Sequence, residues 1–113
     1  MSISHCKFIQ TRAERLANQL LKSRSTVGTG SRQFTINGVD PNEIKKIYTY
    51  LCHYKDLHKL KQLLKLLPKS PLCRSNKTAG YYLNIQSAFN SEKIYELSID
   101  DVFAVIGWAC RLL

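Results

Sequence analysis

The chain has 113 residues, 44% of them hydrophobic, and a formal net charge of +9. That is enough length for one domain with its own core and too much apolar content for wholesale disorder. Cys6, Cys52, Cys73 and Cys110 lie far apart with no paired spacing, and Met1 to Gln10 carries no apolar leader-like run. The expectation is therefore a cytoplasmic protein with reduced thiols, not a disulfide scaffold.

Charge is spread unevenly. Met1 to Lys77 holds fifteen basic and four acidic residues, a surplus of +11, whereas Thr78 to Leu113 holds two basic and four acidic ones, a net of −2. A cationic portion joined to a more apolar, mildly acidic one points to a polyanionic partner for the first.

Cys6 to Lys22 reads as the first helix. Ile9, Ala13, Leu16, Ala17, Leu20 and Leu21 recur at helical spacing, with Arg12, Arg15, Gln19 and Lys22 along one flank. Ser25 to Gly38 then breaks the pattern with three glycines and several hydroxyl residues. The sequence predicts a Gly/Ser-rich loop over about 25–39, with Phe34 and Ile36 docked on the bundle, because no second convincing strand is available to pair with them. Gly28-Thr29-Gly30-Ser31-Arg32 has the composition of a phosphate cradle. No Lys-Ser or Lys-Thr follows it and no strand precedes it, so it is not a Walker loop.

Asp40-Pro41-Asn42-Glu43 is a clear helix start: Asp40 caps, Pro41 fits the first turn and Glu43 completes a capping box. Ile44, Ile47, Tyr48 and Leu51 mark the buried face of this helix through about Tyr54. Asp56 caps the next, Leu57 to Leu67, stopped by Pro68. Leu57, Leu60, Leu63, Leu64 and Leu67 share one side, while Lys55, His58, Lys59, Lys61, Gln62 and Lys65 share the other, with Leu66 turned out. A membrane-surface helix shows the same pattern, but neighbouring helices offer the leucines a protein core. Pro68 to Lys77 is a loop that extends the charge with Lys69, Arg74 and Lys77. Ser75 or Asn76 caps a fourth helix through about Phe89, which buries Tyr82, Ile85, Ala88 and Phe89, and one helical turn is expected around Lys93 to Leu97.

The last helix, Ser98 to Leu113, opens with a second capping box, Ser98 to Asp101, and Asp100 and Asp101 oppose the positive end of the helix dipole. From Val102 onward it is apolar or small nearly all round, so it is expected to be the enclosed central helix, with Gly107 admitting a close neighbour. Val102, Phe103, Ile106 and Trp108 each contribute roughly 1.5–3 kcal/mol if fully buried.

Convergent reactive groups are not legible. His5, His53 and His58 have no carboxylate at a supporting spacing, and no G-x-S-x-G, H-E-x-x-H or Cys-x-x-Cys occurs. Cys52, His53, His58 and Cys73 match no common zinc spacing, and Cys52 reads as a core residue. No enzyme, metal or cofactor is expected.

The positive signal is electrostatic. Lys55, Lys59, Lys61, Lys65, Lys69, Arg74 and Lys77 form a basic band against the single acid Asp56, and Arg12, Arg15 and Lys22 extend it if the first helix packs alongside. Such bands bind phosphates through counterion release. Tyr48, Tyr50, Tyr54 and Tyr81 are interleaved with the charge and suited to stacking on bases where exposed. The two helices Asp40–Tyr54 and Leu57–Leu67 mimic a helix-turn-helix. The second devotes one face to leucines and offers lysines where base-reading Asn, Gln or Arg would stand, which favours sequence-independent binding.

The chain also resembles the small all-helical subunits of CRISPR effector complexes, particularly the type III kind. The resemblance rests on the basic five-helix plan and on two stretches, Gln10-Thr11-Arg12-Ala13-Glu14-Arg15-Leu16-Ala17 and Ile106-Gly107-Trp108-Ala109-Cys110-Arg111-Leu112-Leu113. It implies a role in antiviral defence, in which subunits stack along an RNA-guided complex, touch guide or target backbone through basic residues, and carry no cleavage site. No contact residue transfers by identity.

The reading is thus an all-α, single-domain bundle of about five helices. It is expected to be a non-catalytic subunit of a ribonucleoprotein complex, with RNA or single-stranded nucleic acid and other protein subunits as partners and no membrane. Its rivals are an adaptor that uses the basic face on an acidic protein, and a small dimeric regulator of duplex DNA.

Overall fold

The computed structural model describes residues 3–28, 30–69 and 76–113, and in them five helices and one two-stranded hairpin. The elements are α1 (Ile3–Lys22), β1 (Arg24–Val27), β2 (Phe34–Asn37), α2 (Pro41–Tyr54), α3 (Leu57–Leu66), α4 (Asn76–Ser91) and α5 (Ile99–Leu112), with 3₁₀ turns at Leu67–Lys69 and Ile94–Glu96. The chain is an all-α bundle. No helix among the described residues is long and apolar enough to cross a membrane.

The helix starts are local chemistry. Asp40 accepts from the Asn42 amide at 2.9 Å, Asp56 from the amides of His58 and Lys59 at 2.9 and 3.2 Å, and Ser98 from the Asp101 amide at 3.3 Å. Each satisfies a donor that the first helical turn leaves unpaired. The acids expected to complete the two boxes do something else. Glu43 is buried, and its Oε2 accepts from the Tyr82 hydroxyl at 2.5 Å. Asp101 Oδ1 lies 2.7 Å from His5 Nε2 and joins the first turn of α5 to that of α1. Tertiary partners that form hydrogen bonds to a charged group outcompete the return bond to a cap amide.

The core is one apolar cluster drawn from every helix. It includes Ile9, Leu16 and Leu20 of α1, Ile44, Ile47 and Leu51 of α2, Leu60 and Leu64 of α3, Ile85 and Phe89 of α4, and Val102, Val105 and Ile106 of α5. α5 packs against α1 and α2, and α3 against α2 and α4. The last helix is therefore clasped on two sides and not enclosed. Val102, Val105, Ile106 and Ala109 are buried, but Trp108 is 40% exposed, and Phe103 and Ala104 are partly open. The close neighbour of Gly107 is the Tyr48 ring, 3.4 Å from where a Cβ would stand. Cys52 is exposed on α2, contrary to its expected place in the core, because it falls on the side of that helix away from Ile44, Ile47 and Leu51.

The expected loop over 25–39 is in part a β-hairpin. β1 and β2 pair antiparallel, Arg24 opposite Asn37 and Val27 opposite Phe34. Gly28, at φ 98°, turns the chain out of β1 in the left-handed region open to glycine. Ile36 docks on the bundle as expected, whereas Phe34 stays 51% exposed. Two side chains fasten the hairpin to α4. Asn84, fully buried, donates to the carbonyls of Ile36 and Gly38 at 3.1 and 2.6 Å, and Ser25 Oγ donates to the Gly80 carbonyl at 3.0 Å.

Gly80 is what lets β2 approach α4: a Cβ there would stand 2.6 Å from Ile36 Cβ. In an exposed helix Gly→Ala stabilises by about 1 kcal/mol. Here the sign reverses, and Gly80→Ala should cost about 1–3 kcal/mol by overpacking. Chemical denaturation of the two proteins checks this; a variant as stable as the parent would mean that the hairpin does not press on α4.

Candidate nucleic-acid interface

α3 buries Leu60 and Leu64 and half-buries Leu57 and Leu63, so its remaining face meets solvent. On that face and its flanks Lys55, Lys59, Lys61, Lys65, Lys69 and Lys77 are all exposed. Lys55 is the C-cap of α2 in the left-handed conformation, at φ 51°, and with the N-cap Asp56 it turns the chain from α2 into α3. Lys69 ends the 3₁₀ turn after α3, and Lys77 lies in the first turn of α4. Among the described residues, none of the six pairs with a carboxylate within 4.0 Å. Asp56, the nearest acid in sequence, is occupied with capping α3. Arg74 lies outside the described residues, as does Cys73.

The lysines wrap the outer side of α3 and do not form a single file. Lys59 leans toward α2, where its Nζ sits 5.4 Å from the centre of the Tyr54 ring. Lys61 leans the other way, 5.4 Å from the centre of Tyr95 in the second 3₁₀ turn, and Lys77 lies 5.9 Å from Tyr81 on its own helix. Tyr54 is 49% exposed and is propped by Tyr50, with ring centres 4.6 Å apart, and by the edge of His53. The corner between α2 and α3 thus presents an aromatic face beside cations, a combination suited to a base stacked next to a phosphate. Of the tyrosines expected to stack, Tyr54 is the most open; Tyr48, Tyr50 and Tyr81 are half-buried.

The second set of cations stands elsewhere. α1 packs against α4 and α5, and both of its central arginines are drawn to the end of α4. Arg12 donates to the Glu92 carbonyl and lies over Phe8, and Arg15 Nε is 2.9 Å from the Glu92 carboxylate, which is buried. Arg15 neutralises a buried acid, and Arg12 is held by a main-chain carbonyl. Lys22 is exposed at the end of α1, next to the hairpin.

Sequence reasoning passed over Tyr95 and the pair His5–Asp101. The latter joins residues 96 apart, so spacing carried no signal of it. His53 is occupied with the Tyr54 ring, and His58 Nε2 lies 3.2 Å from Gln62 Nε2. Among the described residues no three His, Cys, Asp or Glu side chains converge on a metal-sized site. Comparison with protein-family models, with curated proteins and with solved structures finds no match for this chain.

The Tyr95 hydroxyl is buried with no hydrogen-bond partner among the described residues, and burial pushes its pKa up from 10.0 to about 12. The folded state therefore favours the neutral phenol. That contribution to stability is complete below pH 10.0 and declines as pH rises toward about 12. Tyr95→Phe should leave stability at neutral pH unchanged or slightly raised, because it removes an unpaired buried hydroxyl. It should also lose less stability than the parent across that alkaline window. Thermal melts of both proteins at several pH values check this; parallel alkaline losses would show that Tyr95 does not contribute.

Proposed function

We propose that this chain is a non-catalytic subunit that binds the phosphate backbone of RNA or single-stranded nucleic acid through α3 and its flanks. In this reading it works within a larger ribonucleoprotein complex of the CRISPR small-subunit kind. One observation carries the proposal: six exposed lysines, none paired with a carboxylate among the described residues, surround a helix that has the open ring of Tyr54 at its start. A face that served only for solubility would tolerate acids interspersed among the cations. Here the sole acid between Lys55 and Lys77 is spent on a cap.

The chemistry that follows is positional. Ammonium groups on a helix release counterions from a phosphate backbone without reading bases, and Tyr54 adds sequence-tolerant stacking. Arg12 and Arg15 are assigned to folding, since Arg15 pairs with the buried Glu92 carboxylate and Arg12 donates to the Glu92 carbonyl. The proposal therefore narrows to Lys55, Lys59, Lys61, Lys65, Lys69 and Lys77.

For four phosphate contacts, the logarithm of affinity for a single strand should fall against the logarithm of salt with a slope of about −3. Reversing Lys59, Lys61 and Lys65 to Glu should abolish binding to a single-stranded RNA while leaving helical content unchanged. Tyr54→Ala should weaken binding by roughly 1–3 kcal/mol with the salt slope preserved. Fluorescence anisotropy across a salt series, with circular dichroism on each variant, checks these outcomes. Equal binding by the parent and the triple variant would remove α3 from the reading, and marked discrimination among duplex sequences would favour a DNA regulator instead.

A further inference from the structure

On the side of α2 away from α3, a groove of about 430 Å³ runs between α1, α2 and α5. Its floor is apolar: Ile9, Phe103, Ala104, Gly107 and Trp108. Gly107 deepens it, and Tyr48 forms a wall, its ring set edge-on to Phe103 at 5.9 Å. Trp108 in the floor is 40% exposed, and Leu112, 47% exposed, carries apolar surface on α5 beyond it. From Phe103 to Arg111 the groove follows α5 for about 12 Å, two turns of helix.

The rim carries Lys45 and Arg111, and no acid among the described residues lines the groove. Neither cation is paired with a carboxylate among the described residues. Lys45 on α2 and Cys110 on α5 both line the groove, and burial pushes the Cys110 thiol pKa up, with Lys45 acting against it.

We propose that this groove seats an acidic amphipathic helix of a partner protein, with its apolar stripe on the Phe103–Trp108 floor and its carboxylates on Lys45 and Arg111. Helix-in-groove recognition needs this layout: an apolar trough with anchor pockets, flanked by charges that fix the sign of the partner. The observations favour it over two other occupants. The groove is open to solvent, whereas a small-molecule site buries most of its ligand. A second copy placed by two-fold symmetry on this groove would set one cationic rim against another, in a chain already at +9. The proposal is independent of nucleic-acid binding, because α3 does not line the groove.

The test uses the full chain and a labelled synthetic peptide of about four helical turns, with leucines on one face and glutamates elsewhere. Trp108 is the only tryptophan in the chain, so its emission reports occupancy directly. The Glu peptide should bind saturably at one site, shift Trp108 emission to the blue and outcompete the same peptide with Lys in place of Glu. K45E/R111E should weaken the Glu peptide at least tenfold and reverse the preference toward the Lys peptide. Trp108→Ala, read by peptide anisotropy, should also weaken binding tenfold or more. All of these positions are solvent-facing, and thermal melts confirm that the variants fold. The triple α3 variant should bind the peptide like the parent. Failure of the Glu peptide to bind, equal binding of both peptides, saturation by dodecanoate alone, or a dimer that Trp108→Ala disrupts would each overturn the proposal.

Discussion

The buried face of α5, made of Val102, Val105, Ile106 and Ala109, packs against α1 and α2, and the placing of the other elements follows from this contact. α1 and α5 have the most extensive interhelix contact among the described residues, and alanines on both, Ala13, Ala17 and Ala109, are buried in the shared core. Small side chains allow helix axes to approach closely, and the His5–Asp101 bond fixes the ends of the two helices together. With α5 held in this way, α2 has one side for α5 and another for α3. Among the described residues, the groove and the lysine face are surfaces that this arrangement leaves open.

Electrostatics follows from the same packing. Of the few acids in the chain, several are consumed within the fold. Asp40 and Asp56 cap helices, Glu43 accepts from Tyr82, Glu92 takes up Arg15, and Asp101 meets His5. A carboxylate engaged in this way neutralises no distant lysine. The positive surplus therefore appears on α3 and its flanks, where no acid is left to offset it. Fold stability and surface charge are coupled in this chain by a shortage of carboxylates.

The α4 helix joins the irregular part of the chain to the bundle. Its first half faces the hairpin through Gly80 and Asn84, and its end receives the two arginines of α1 through Glu92. Asn84 meets the backbone carbonyls at the end of β2, and burial without that bond would leave them unpaired. A hairpin of only four residues per strand is marginal alone. It persists because α4 supplies both its apolar contact and its polar one.

Local signals in the sequence were sufficient for the five helices, the caps at Asp40, Asp56 and Ser98 and most of the core, because capping residues and helical apolar spacing act within a few residues of one another. The amphipathic lysine face of α3 was legible for the same reason. The hairpin was not, since β1 buries only Val27 and pairs through main-chain bonds that side-chain alternation does not report. Arg12, Arg15, Glu43 and Asp101 each found partners far along the chain, and Cys52 and Trp108 fell on helix faces that stay partly or largely exposed. Composition established that cations were in excess and where they lie in the chain. Only the packed helices decided which of them were drawn into the fold, as Arg12 and Arg15 are at Glu92, and which were left exposed, because that depends on which distant surfaces fold together.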